Sequence, residues 1–110
     1  MSYIKNIPHS EVFQMINLTE YLSGQIVSKT LSQNAQHSLT LFAFDKDEEI
    51  STHASEGDAM IIALDGTGRI TIDDEEFILN AGNAIVMPAN KPHAVYAQEQ
   101  FKMLLIVMFS

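Results

Sequence analysis

The amino-acid sequence predicts an all-β fold, a sandwich or closed barrel, on three observations. Apolar runs of strand length follow one another from residue 25 to the end of the chain. Most are rich in β-branched or aromatic residues, and polar or glycine-containing breaks, not helical periods, separate them.

The elements follow in order. The stretch SEVFQMINLTEYL (10–22) admits two readings: a short helix capped by Ser10, with Val12, Phe13, Met15 and Ile16 partly on one face, or an irregular lead-in to a strand. QIVSKTLSQ (25–33) and SLTLFAF (38–44) supply the first strands. The acidic run DKDEE (45–49) offers alternate oxygen ligands but lacks the glycine and the distal glutamate of a calcium loop, so it reads as a solvated turn. In EISTHAS (49–55), alternation puts Ile50, Thr52 and Ala54 on one face and Ser51, His53 and Ser55 on the other. AMIIALD (59–65) leads through GTG (66–68), read as a hairpin turn, into RITID (69–73), and the weaker turn signal DD (73–74) leads to EFIL (76–79). Ala59, Ile61 and Ala63 then face inward, and the two alanines leave volume unfilled. After AIVM (84–87), the prolines at 88 and 92 interrupt pairing and launch HAVYA (93–97), whose first residue, His93, aims into a barrel mouth. KMLLIVMF (102–109) closes the series.

A chain of 110 residues has room for one core, so residues 1–110 are expected to form one domain. The absence of cysteine excludes thiol catalysis, zinc–thiolate sites and disulfides. A formal charge of −8 repels phosphate backbones, which argues against nucleic acid as a direct partner. The N-terminus lacks the basic and unbroken apolar regions of a signal peptide, and the longest apolar run, MLLIVMF, falls far short of a membrane span of about 20 residues. A cytoplasmic protein without a membrane partner is the expectation.

The two histidine segments resemble the paired motifs of the cupins. Gly82, Pro88, Asn90 and His93 follow the spacing of the second motif, G-x5-P-x-G-x2-H-x3-N, with Asn90 at the usual glycine and Ala97 at the usual asparagine. HASEGDAMIIALDGTG (53–68) is similar to the first motif, H-x-H-x3-4-E-x6-G, anchored by His53 and Gly66. The likeness covers about residues 42–109 and implies a double-stranded β-helix, a jelly-roll barrel, which in this family usually pairs into a homodimer. Apolar strand material between residues 25 and 44 gives an edge for such pairing.

The resemblance also implies a divalent metal (iron, manganese, nickel or zinc) held by three histidines and a glutamate. Only His53 and His93 match; Ser55 stands at the second histidine and Ala59 at the glutamate. Asp58 is one residue away and Glu56 three, but a one-residue slip turns a side chain to the other face of a strand. The metal ligand set is therefore incomplete. The expected site is a pocket for a small molecule, lined by His53, Ser55, Ala59, Ile61, Met87 and His93, with a divalent ion at most weakly held by the two imidazoles. The alternative is a metal-dependent enzyme of the dioxygenase or isomerase type, with His53 and His93 as ligands. His93, placed at a proline-bounded turn, is expected to be accessible and cheap to replace, and His9 and His37, outside both motifs, are expected on the surface.

Overall fold

The computed structural model describes residues 3–109. Seven strands, β1 (Ile26–Gln33), β2 (His37–Phe44), β3 (Glu49–His53), β4 (Asp58–Ile72), β5 (Glu75–Asn80), β6 (Ala84–Met87) and β7 (His93–Met108), form one antiparallel sheet. The order is β1-β2-β7-β4-β5, with β3 added to β7 and β6 to β4.

The two long strands organise everything else. The first part of β4 pairs with β6 (Ala59 opposite Met87) and with the end of β7 (Asp58 opposite Met108). Its second part pairs with β5 (Thr67 opposite Asn80) and with the start of β7 (Ile72 opposite His93). One lobe is thus β1-β2-β7-β4-β6 and the other β3-β7-β4-β5. Their inner faces enclose one core, to which Phe44, Ile61 and Met103 come from the first lobe and Ile70, Leu79 and Val95 from the second. Alternation along β4 fits this: Ala59, Ile61 and Ala63 are buried, as expected from the sequence.

GTG is not a hairpin turn. Gly66 and Gly68 lie inside β4, on either side of one shift of register against β7 and just after another between Ala63 and Asp65, and Gly66 has φ +74°. A side chain at Gly66 would run into the backbone carbonyl of Gln100, so glycine here permits two strands to approach closely while the pairing changes lobe. The same continuity joins residues 93–97 and 102–108 into β7. At residues 73–74 the hairpin does form, with Asp73 at φ 53°.

The outer face of the first lobe carries a second cluster, where Leu31, Leu41 and Leu104 are covered by Ile7, Met15 and Leu18 of the N-terminal segment. That segment holds only a short 3-10 turn, Met15–Asn17, and is otherwise irregular. Polar pins replace helix packing. Buried Lys102 donates to the carbonyl of Ile16 at 2.7 Å, and the Tyr21 hydroxyl donates to Asp65 at 2.6 Å. Burial, and then the Asp65 carboxylate, push the Tyr21 pKa up. His37 corrects the surface expectation: it starts β2 half-buried, 3.1 Å from the Ser32 hydroxyl, whereas His9 is exposed.

Candidate functional site

A cavity of about 250 Å³ opens between the lobes. Its mouth is built by β3, β7 and the turn after β6. His53 ends β3 and lies directly opposite His93, the first residue of β7. The Pro88–Pro92 turn reaches this point because Asn90, at φ 65°, takes a left-handed conformation that asparagine tolerates, and its N–H donates to the Ser55 carbonyl at 2.7 Å. The two motif segments are thereby tied to each other.

The imidazoles meet edge to face, with ring centroids 4.3 Å apart and 71° between planes. Nδ1 of His53 lies 2.9 Å from the Ser51 carbonyl, and Nδ1 of His93 lies 3.1 Å from the Lys91 carbonyl. A carbonyl oxygen only accepts, so each Nδ1 carries the proton and donates. Each Nε2 of a neutral ring then presents a lone pair, and the two Nε2 atoms are 3.1 Å apart. Two lone pairs at that distance repel unless a proton or a metal ion lies between them. Burial depresses the His93 pKa first, and a positive charge on His53 depresses it further, against the opposing effect of the Lys91 carbonyl. His93 is 4% exposed. The expectation of an accessible ring at this turn therefore does not hold: the prolines are exposed, but the strand they launch turns its first side chain inward.

All six residues expected at the pocket, His53, Ser55, Ala59, Ile61, Met87 and His93, line this cavity. Val95, Met103, Leu105 and Val107 of β7 line it too. These four were missed, although alternation counted forward from His93 reaches every one. Ala54 and Phe109 complete the wall.

Comparison with known proteins settles the family. The sequence profile of the cupin domain matches residues 40–109. The chain belongs to the cupin family. This cupin superimposes on a conserved protein of unknown function from Streptococcus pyogenes with a TM-score of 0.98 and 44% identity, covering 100% of this chain and 96% of the other. A cupin superfamily protein from Desulfitobacterium hafniense follows with a TM-score of 0.94 and 30% identity, over 99% and 100% of the two chains. A cupin 2 conserved barrel domain protein from Leptotrichia buccalis is 41% identical with a TM-score of 0.85, over 87% of this chain and 47% of that one. A search of functionally curated proteins returned no match.

The metal that the family implies can be tested against this cupin's own donors. Two imidazoles fit it. The remaining positions do not, because Ser55 and Ala59 line the cavity where an imidazole and a carboxylate would be needed. The neighbouring acids are no substitute: the Asp58 carboxylate accepts the Ala89 N–H at 2.8 Å, and Glu56 is exposed. Among the described residues no three His, Cys, Asp or Glu side chains converge. A hard divalent ion such as iron or manganese, which favours carboxylate, is poorly served here. Among the described residues, too, no helix is long and apolar enough to cross a membrane.

Proposed function

We propose that this single cupin barrel is a binding module that holds a small, mostly apolar molecule, its polar head at His53 and His93 and its body against Ile61, Met87, Leu105 and Val107. The observation that carries this reading is the mouth itself: two converging imidazoles over a wall otherwise almost without polar groups, which is the chemistry of an oriented small-molecule pocket. The cavity volume of about 250 Å³ sets the guest at roughly a dozen heavy atoms. A metal-dependent dioxygenase or isomerase would draw on the same two imidazoles, but the missing carboxylate and third histidine support it less. Methyl NMR during titration with p-cresol tests the module. Saturable shifts at Met87, Leu105 and Val107, abolished by Ile61→Trp, are expected; shifts scattered over the surface would refute it.

We also propose a homodimer. Among the described residues no strand pairs with the outer edge of β1, which Lys5 and Asn6 cover only at the Leu31 and Thr30 carbonyls, and Val86 and Met108 on the outer face of the first lobe are half exposed. Sedimentation equilibrium at micromolar concentration is expected to give twice the chain mass of 12.2 kDa; a mass of one chain would rule the dimer out.

A further inference from the structure

We propose that the guest of this cavity is a primary alkylamine in its ammonium form, whose head donates to Nε2 of both His53 and His93 while its chain lies in the cavity. The proposal rests on the pocket reading above and adds to it the chemistry of the head group.

What the head must be follows from what the mouth lacks. Both Nδ1 protons are committed to the carbonyls of Ser51 and Lys91, so each neutral ring offers its Nε2 only as an acceptor. The neighbouring donors are spent. The Ala89 N–H goes to the Asp58 carboxylate, the Asn90 N–H to the Ser55 carbonyl, the Gly57 N–H to the Ser55 hydroxyl, and the Lys91 ammonium to Asp73 at 3.2 Å. Protons for the two imidazoles therefore come from the guest. For rings set symmetrically about the line between them, nitrogens 3.1 Å apart on centroids 4.3 Å apart aim their lone pairs at one point, roughly 3 Å from each nitrogen. That is the length of an N–H···N hydrogen bond. One donor atom with two protons satisfies both rings.

Few head groups meet this condition. A carboxylate brings no proton, and an alcohol or phenol brings one for two acceptors. A primary amide brings two on one nitrogen, but its carbonyl, one bond further in, then faces a wall in which the Ser55 hydroxyl is the only polar group besides the imidazoles. An ammonium brings three N–H groups and no acceptor to satisfy. Two serve the imidazoles, and the third reaches water, since His53 is exposed and the charged head stays at the mouth. An alkylammonium, with a pKa near 10 like that of lysine, keeps its proton against an imidazole near 6.5, and hydrogen bonds from a charged donor are roughly twice as strong as neutral ones. The formal charge of −8 favours a cation over an anion as well. Behind the head, Ile61, Met87, Leu105 and Val107 receive the alkyl chain.

The test is a titration of the intact protein, at neutral pH and physiological salt, with four probes that share one chain: n-heptylamine, 1-heptanol, heptanamide and heptanoate. Methyl NMR at Met87, Leu105 and Val107 reads affinity, and nitrogen-15 NMR of labelled histidine reads the rings. The amine is expected to bind about tenfold or more tighter than the alcohol and the amide, with heptanoate weakest. Both Nε2 resonances should move on adding the amine yet stay in the range of an unprotonated nitrogen. In His53→Leu with His93→Leu, the preference for amine over alcohol should fall to within about twofold. If that variant fails to fold, His53→Leu alone, at an exposed position, should lower the preference by about threefold or more. Heptanoate binding as tightly as the amine, Nε2 resonances in the protonated range, or an amine preference that survives in the histidine variants would each overturn the assignment. Saturable binding of all four probes without preference would sink this proposal alone; no saturable shift with any of them or with p-cresol would sink the pocket reading with it.

Discussion

Replacing His93 by alanine separates the functional pair from simple packing. The substitution removes the donor to the Lys91 carbonyl and the partner of the His53 Nε2, both made by a ring that is 4% exposed. The lost hydrogen bond to the Lys91 carbonyl is worth about 0.5–1.5 kcal/mol, the edge-to-face contact with His53 about 0.5–1.5 kcal/mol at most, and the void merges with an existing cavity at its mouth, so water can enter and limit the cost. The sum is about 1–2 kcal/mol, which for a chain of this size lowers the melting temperature by roughly 5–10 °C. Because His53 is exposed, His53→Ala alone should cost only about 0.5–1 kcal/mol, and the double variant should recover most of that as coupling through the edge-to-face ring contact. Urea denaturation of the four proteins measures this cycle. A coupling of zero would mean that the rings do not interact in solution, and a loss of about 4 kcal/mol or more from His93→Ala would make the ring a packing residue and not a site residue.

Three further outcomes are expected. Gly66→Ala should cost at least about 3 kcal/mol, because φ +74° and the Gln100 carbonyl both oppose a side chain; a denaturation midpoint equal to wild type would refute the close approach of β4 and β7. The His93 pKa is depressed in the folded state, so the unfolded chain binds more protons between that depressed value and the ordinary one near 6.5; stability should fall as pH drops below about 6.5, and His93→Gln should flatten that slope in a melting series from pH 7.5 to 5. Ser55→His restores an imidazole where the family has one, and Zn(II) or Ni(II) affinity should rise about tenfold or more by competition with a metallochromic dye; no gain would show that position 55 does not reach the ion.

Much of the barrel was legible because its signals are local. Alternation placed Ala59, Ile61 and Ala63 inward, and motif spacing brought His53 to His93 across 40 positions. What escaped reading was non-local. Gly66-Thr67-Gly68 has the composition of a turn, and only the passage of Gln100 beside it explains why glycine serves a strand there. The burial of His93 likewise depends on β3 lying against it, a contact no neighbouring residue announces. His37 looked like a surface residue because its partner, Ser32, lies on the preceding strand. The N-terminal segment shows an incomplete helical pattern because its apolar residues, Met15 and Leu18, serve as single pegs on a sheet, which needs no period.

The long pairing of β4 with β7 also bears on how the chain reaches this state. Its contacts join Ile72 to His93 at one end and Asp58 to Met108 at the other, so the closing loop lengthens from 21 to 50 residues as the ladder extends. Closure entropy grows with each step, and the hairpin of β4 and β5 is available long before β7 has a template. Zippering from the His93 end is the cheaper route. It makes the mouth the nucleus and leaves the apolar end of β7, with Leu104, Leu105 and Ile106, to dock last, on a timescale of milliseconds to seconds. While it waits, that segment is the part of the molecule most exposed to wrong partners.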